Sequence, residues 1–283
     1  KRLPSILPPL SMAEALETTK IHSVAGKLSR GAMLMTRRPF RTPHHTVSPV
    51  ALVGGGANPM PGEISLAHNG VLFLDEFPEF PRHVLEVMRQ PIEDRVITVA
   101  RAKYTVNYPA SFMLVASMNP CPCGYYGHPT KSCTCTPGQV SKYMNKISGP
   151  LLDRIDIQVE IEPVAFDDIA DKAPAESSVS IRDRVMKART IQQERYRNLP
   201  GIHCNAQMNS RLLHEYAWPD EEGLSKLKER MTRLNMSARA FDRILRVART
   251  IADLDSSERV ESRHIAEAIG YRSLDRASYG KTF

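Results

Sequence analysis

Long hydrophobic runs are missing from this chain of 283 residues. None of its apolar stretches approaches the roughly 18 residues that a membrane helix needs, and no signal-peptide pattern opens it. It also lacks internal repeats and low-complexity tracts. We therefore expect a cytoplasmic protein with no membrane partner, and its 42% hydrophobic and 24% charged residues are ordinary for a globular protein.

Acidic residues are the minority among the charged ones. The chain has 38 Lys and Arg against 31 Asp and Glu, so its formal net charge is +7 at pH 7. Clustered basic side chains attract phosphate backbones through long-range fields and counterion release. The charge is therefore compatible with a nucleic acid partner but does not establish one.

The pattern of apolar residues changes once along the chain, near residue 163. A single core stops growing near about 250–300 residues, so this length favours two domains. Residues 1–163 predict an α/β core with a parallel sheet, and residues 164–283 predict an all-helical domain. The predicted elements are strands at 71–74, 112–117 and 155–161, a hairpin over 96–108, loop over 37–63, and helices at 82–93, 180–196, 239–254 and 262–269, the last capped by Ser262.

Two consecutive carboxylates follow an apolar strand in the sequence VLFLDE at 71–76. Open α/β folds bind ligands at the carboxyl ends of their strands. Nucleotide hydrolysis needs one carboxylate for Mg²⁺ and a neighbouring group that activates water, roles that suit Asp75 and Glu76 respectively. A strand entering a negatively charged turn would give the same local pattern.

A polar amide follows the next apolar strand, because residues 112–117 run into Met118-Asn119-Pro120. Asn119 could orient an attacking water if the two strands are neighbours. Asn-Pro pairs are also common turn residues. The conjunction of an acidic pair and an amide at two strand ends favours the functional interpretation.

Four of the five cysteines lie within fifteen residues: Cys121, Cys123, Cys133 and Cys135, with Cys204 apart. In a reducing compartment such a cluster indicates metal ligation before disulfides. Four thiolates can close a tetrahedral Zn²⁺ shell and stabilise a segment too short for its own core, so we expect structural rather than catalytic zinc. The Cys-x-Cys spacing is tight for chelation, and free thiols or disulfides are the alternatives.

Several segments resemble motifs of AAA+ ATPases. VLFLDEF at 71–77 resembles a Walker B motif, ASMNP at 116–120 the first sensor, and GPLLDRID at 149–156 the arginine-finger segment of the chelatase and replicative-helicase branch. The stretches at 38–56 and 61–76 are similar to bacterial magnesium-chelatase-like competence proteins, which assist DNA processing in natural transformation. MSARAFDR at 236–243 resembles their second sensor, and the motifs follow the family's order over nearly the whole chain.

The resemblance implies an αβα AAA+ core followed by a helical lid, ATP with Mg²⁺ as cofactors, and a homo-oligomeric, hexameric ring. Asp75, Asn119 and Arg239 would bind the nucleotide and its metal. Arg154 would reach a neighbouring subunit's γ-phosphate, and Arg239 the γ-phosphate of its own subunit. A guanidinium suits both roles because it stabilises charge spread over phosphoryl oxygens. Without the resemblance, either arginine would be interpreted as a surface ion-pair residue.

Basic residues stand near the tip of the predicted hairpin. The resemblance implies that such a hairpin enters the ring pore, where Arg101 and Lys103 could follow a DNA backbone. Two exposed charges at a turn need no such explanation. His44 and His45 lie in the predicted loop before Walker B, and we assign them no role.

A Walker A loop of the form G-x-x-x-x-G-K-[ST] is absent. Gly54-Gly55-Gly56 lacks the following Lys and Ser or Thr, and we interpret it as a flexible loop rather than a phosphate cradle. By the resemblance, the chain begins just after that loop, and a Lon-protease-like domain would precede it. We therefore expect this segment alone to bind ATP weakly and to be inactive.

Two other functions stay open. A magnesium-chelatase motor subunit, driving Mg²⁺ into a porphyrin, would share the motifs, but true chelatase motors are not expected to carry the cysteine cluster. A zinc-stabilised interaction module without ATPase activity would keep the cluster and lack turnover.

Overall fold

The computed structural model describes residues 2–28, 31, 33–56, 58–100, 105–161, 175–234 and 236–272. They form two compact units, one made mainly of residues 9–154 and one made mainly of the residues from Ile155 onward, together with a few residues near the start of the chain. The mixed α/β architecture, with a parallel sheet and a helical C-terminal region, is confirmed. The domain boundary predicted near residue 163 lies outside the described residues.

The strands are short and belong to the first unit. They are β1 (Phe40–Arg41), β2 (Gly54–Gly55), β3 (Met60–Pro61), β4 (Val71–Leu74), β5 (Val96–Ala100), β6 (Thr105–Pro109) and β7 (Met113–Ala116). Strands β1, β4 and β7 form a parallel sheet in that order, whereas β2 pairs with β3 and β5 with β6 in antiparallel ribbons.

Helices occupy both units. They are α1 (Leu3–Ile6), α2 (Met12–Val24), α3 (Pro49–Val53), α4 (Glu63–Leu66), α5 (Arg82–Glu86), α6 (Arg89–Asp94), α7 (Pro137–Met144), α8 (Gly149–Leu152), α9 (Ser178–Arg195), α10 (Ser210–Tyr216), α11 (Glu221–Leu234), α12 (Ala238–Leu254) and α13 (Ser262–Gly270), with 3₁₀ turns at Phe77–Glu79 and Asn205–Gln207. Among the residues that the structure describes, no helix is both long and apolar enough to cross a membrane.

The central strand β4 is the predicted buried strand at 71–74, which is confirmed. Val71, Leu72 and Leu74 are fully buried, as expected for a strand covered on both faces of a parallel sheet. Gly70 precedes β4, and a Cβ there would lie 2.1 Å from the carbonyl oxygen of Pro39. Glycine at this position therefore lets β1 approach the beginning of β4.

The hairpin predicted over 96–108 is also confirmed, with β5 and β6 paired from Val96 opposite Pro109 to Ala100 opposite Thr105. The helix predicted over 82–93 is instead broken into α5 and α6. Pro91 accounts for the break, because it lacks an N–H donor and its ring would clash with the carbonyl of Val87 in a continuous helix.

The prediction of a strand at 155–161 is wrong. Among the described residues, this segment forms an isolated bridge between Gln158 and Arg272 and no strand. Ile157, Val159 and Ile161 are 51%, 59% and 87% exposed. The third strand of the sheet comes instead from β1, inside a stretch interpreted as loop. That stretch also holds the β2–β3 hairpin, so Gly54-Gly55 is a paired strand and not a flexible loop.

In the second unit, α12 confirms the apolar stripe predicted over 239–254 and packs its buried face into the helical core. A buried ion pair accompanies this packing. The Asp253 carboxylate accepts hydrogen bonds from Arg195 on α9 and from Arg249 on α12 itself. The cap of α13 differs from the prediction: it is Glu261, whose backbone N–H donates to His264 Nδ1 at 2.9 Å, and not Ser262.

Candidate functional site

Three loops leave the parallel sheet at its carboxyl edge, one after each of β1, β4 and β7. β4 pairs with β1 on one side and with β7 on the other, all running in the same direction. The chain therefore leaves the three strands on one edge, where open α/β sheets bind ligands. Asp75 and Glu76 follow β4, Asn119 follows β7, and all three are exposed.

Asp75 is held by two hydrogen bonds to one of its carboxylate oxygens. Ser117 Oγ donates to Asp75 Oδ1 at 2.5 Å, and the Glu76 backbone N–H donates to the same oxygen at 3.0 Å. Carboxylate oxygens are the ligands that Mg²⁺ prefers in proteins, and an oriented, exposed carboxylate is suited to that role. Sequence reasoning missed Ser117, although a hydroxyl directly after an apolar strand is a recognisable signal.

Glu76 has a strained backbone. Its φ of 52° and ψ of 48° are left-handed, a conformation that costs a residue with a side chain about 1–2 kcal/mol. Two backbone hydrogen bonds hold the turn, from Glu79 to the Glu76 carbonyl at 2.7 Å and from Phe77 to the Ser117 carbonyl at 2.9 Å. Such strain persists where the surrounding structure determines it, and it is concentrated at functional sites.

A histidine contact to Glu76 was not predicted. His45 Nδ1 lies 3.2 Å from Glu76 Oε2, on the loop that follows β1. No signal in the sequence identified this contact, because it depends on the pairing of β1 with β4.

Asn119 is supported from α7. Its backbone bonds the hydroxyl of Tyr143, a residue that is 6% exposed. Burial, followed by the nearby carboxylate of Glu79, raises the pKa of Tyr143, and its phenol is therefore neutral at physiological pH. This contact ties the loop after β7 to a helix.

The four clustered cysteines converge. Their sulfur atoms all lie within 4.8 Å of one another, with 3.4 Å from Cys121 to Cys123, 3.7 Å from Cys121 to Cys133 and 3.5 Å from Cys123 to Cys133. Zinc–sulfur bonds of about 2.3 Å in a tetrahedron would place the sulfurs about 3.8 Å apart. The sulfurs are therefore spaced closely enough for tetrahedral zinc, despite the tight Cys-x-Cys spacing in the sequence.

The surroundings of the cluster favour thiolate at Cys123. Hydrogen bonds from the backbone at Tyr125 and Thr134 lower the pKa of Cys123 to about 5. At Cys133 and Cys135 a backbone hydrogen bond acts in the same direction, but burial and the other thiols outweigh it and raise the pKa of both, that of Cys133 to about 12. Gly124 makes the turn after Cys123, with a φ of 82°, and donates to the Cys121 carbonyl at 3.0 Å. Thiolate is the form that ligates metals.

Arg154 lies in the interior of its own unit. Its side chain is 6% exposed, Nη2 lies 2.7 Å from Glu93 Oε2, and Nη1 donates to the Pro150 carbonyl at 2.7 Å. This placement runs against the expected reach into a neighbouring subunit, since the guanidinium is buried and paired within the chain. No local pattern predicts this ion pair, because Glu93 belongs to a different element.

The remaining predicted residues are Arg239, Arg101 and Lys103. Arg239 belongs to the second unit, where it is exposed in the first turn of α12. Arg101 and Lys103 fall outside the described residues, between β5 and β6.

Two family models match most of the chain. The one described as magnesium chelatase, subunit ChlI, matches residues 1–169, and the one described as magnesium chelatase, subunit ChlI C-terminal, matches residues 175–272.

Individual relatives are similar over nearly the entire chain. The uncharacterized protein YifB of Escherichia coli is 45% identical over 278 residues, and the competence protein ComM of Haemophilus influenzae is 42% identical over 276 residues. Each alignment covers 97% of this chain and 53% of the relative. The uncharacterized protein Mb2921c of Mycobacterium bovis is 41% identical over 273 residues, which cover 96% of this chain and 54% of the relative. The chain thus spans about half the length of these curated relatives.

Because Glu76 has a left-handed backbone, we expect a glycine at position 76 to be more stable than an alanine, the reverse of the usual order. Glu76→Gly should give a more stable sheet than Glu76→Ala by about 1 kcal/mol, because glycine adopts positive φ without steric cost. Both changes remove the carboxylate, so each serves as the other's control. Native-state hydrogen exchange of the β4 amides measures the difference, and an alanine variant as stable as the glycine variant would contradict the strain.

Proposed function

The chain belongs to the magnesium chelatase subunit ChlI family, and we propose that it carries the hydrolytic centre and lid of an AAA+ ATPase that acts on DNA. The family is related to AAA+ ATPases, which supports ATP hydrolysis as the kind of reaction. The observation that carries the proposal is the acidic pair after β4, with Asp75 oriented by Ser117 from the neighbouring strand.

Each residue at the sheet edge receives a role. Asp75 would hold Mg²⁺, directly or through water, and the metal would neutralise charge on the phosphates. Glu76 takes the proton of the attacking water as a general base, and Asn119 orients that water from the adjacent strand. When bound, the nucleotide would supply the reacting phosphoryl group and the metal would neutralise its charge, whereas these side chains hold and polarise the nucleophile.

The two arginines complete the proposal. Arg239, exposed on α12, would contact the γ-phosphate of its own subunit and couple hydrolysis to lid movement. Arg154 in the role of a neighbour's γ-phosphate ligand stays a prediction, and it requires that the buried pair with Glu93 opens when subunits assemble into a ring.

DNA is the proposed partner. The relative ComM carries the name competence protein, and the chain has a net charge of +7. Arg101 and Lys103, which lie in the sequence between β5 and β6, are the proposed contacts to the DNA backbone. The convergent cysteines favour this assignment over a chelatase motor that serves a porphyrin.

Glu76→Gln should lower kcat for ATP at least 100-fold with little change in KM, since it removes the general base and keeps the shape of the side chain. The measurement is DNA-stimulated ATP turnover by a protein in which this chain follows a phosphate-binding loop. Glu79→Gln, an exposed acidic neighbour paired with Lys146, is the control and should turn over ATP at the unaltered rate. Unchanged turnover by the Glu76 variant would contradict the proposed role.

We further propose that the four cysteines bind structural zinc. Protein purified without added metal should hold one zinc ion per chain, and Cys123→Ser should lose it and unfold at a lower temperature. Cys204→Ser, outside the cluster, should retain the ion and the stability. Elemental analysis and thermal unfolding measure both, and metal-free protein of unchanged stability would exclude the site.

A further inference from the structure

His45 lies against the carboxylate proposed to activate water. Its Nδ1 is 3.2 Å from Glu76 Oε2, with the two side chains 31% and 57% exposed. The two residues are far apart in sequence and meet because β1 and β4 are parallel neighbours that end on the same edge. The contact therefore follows from the same pairing that builds the site.

The imidazole of His45 is supported on two sides. Its ring centroid lies 4.0 Å from that of His44, with the planes tilted by 36°, and 6.3 Å from that of Phe80 in an edge-on arrangement. Phe80 is 2% exposed. His44 is in turn fixed by Thr46, whose Oγ1 lies 3.0 Å from His44 Nδ1.

Glu76 needs an external restraint if it is to act as a base. A glutamate has several rotatable bonds, and fixing such a side chain costs rotamer entropy. The Glu76 side chain is more than half exposed, so packing alone does not hold it. Its carboxylate can only accept hydrogen bonds when ionised, whereas the Nδ1–H of an imidazole can donate one.

We propose that His45 is a positioning residue for Glu76. Its Nδ1–H restrains one carboxylate oxygen, and the other oxygen is thereby presented to the attacking water. His44 and Phe80 hold the imidazole in place, and His45 itself touches no reacting atom. The inference rests on the proposed role of Glu76 as the base.

The test compares two substitutions of similar size at position 45 in the loop-bearing protein described above. His45→Met removes the donor and should lower kcat roughly tenfold, as loss of a supporting hydrogen-bond partner does, with KM for ATP unchanged. His45→Gln keeps an N–H donor and should recover most of the loss. His83→Ala changes an exposed histidine on α5 and should have no effect.

The Glu76→Gln background separates this inference from the proposed function. In that background His45→Met should cause no further loss, because a positioning residue acts only through the group it positions. If Glu76→Gln leaves turnover unchanged, the proposed function fails and His45 fails with it. If Glu76→Gln lowers kcat at least 100-fold but leaves measurable turnover, two results overturn only the His45 inference: equal kcat for the His45→Met and His45→Gln variants, or a His45→Met loss that persists in the Glu76→Gln background.

Discussion

The burial of β4 between two parallel strands is the constraint on which the candidate site depends. Val71, Leu72 and Leu74 are fully buried, and their hydrogen bonds are shared with β1 and β7. Parallel strands that share a direction also share a carboxyl edge, so the loops that carry His45, the acidic pair and Asn119 are brought together by backbone geometry. The placement of these polar residues at one edge is thus a consequence of the burial of the apolar strand β4.

The polar residues at this edge are held from several directions. Ser117 fixes Asp75 across the strand pair. The left-handed turn at Glu76 is maintained by one backbone hydrogen bond within the turn and one to Ser117. Tyr143 bonds the backbone of Asn119. The cysteine cluster lies in the chain between Asn119 and α7. A zinc ion there would therefore fix the segment that joins Asn119 to the helix carrying Tyr143. A preorganised site of this kind needs little rearrangement when its ligand binds.

The sequence was informative where the pattern is local. The apolar run before Asp75, the hairpin over 96–108 and the stripe of α12 are periodic signals, and each predicts its element correctly. The two-residue strand β1 is too short for any periodicity, and only its pairing with β4 makes it a strand. Ile157 and Val159 alternate with polar residues as in a strand, but in the described part of the chain their segment belongs to no sheet. The contacts of Ser117 and His45 depend on which strands pair, and the contact of Arg154 joins it to Glu93 on a separate helix. A local sequence pattern does not predict such contacts.

The position of the metal ion in a bound metal–nucleotide complex decides whether the carboxyl edge of the sheet is the hydrolytic site. Mn²⁺ can replace Mg²⁺ in a crystal of the loop-bearing protein with a non-hydrolysable ATP analogue, and its anomalous scattering locates the ion. We expect an Mn²⁺ peak within about 2.1 Å of an Asp75 oxygen, or one bridging water away from it. A fully occupied metal–nucleotide complex whose ion lies on another edge of the sheet, beyond the reach of Asp75 and Glu76, would contradict that assignment.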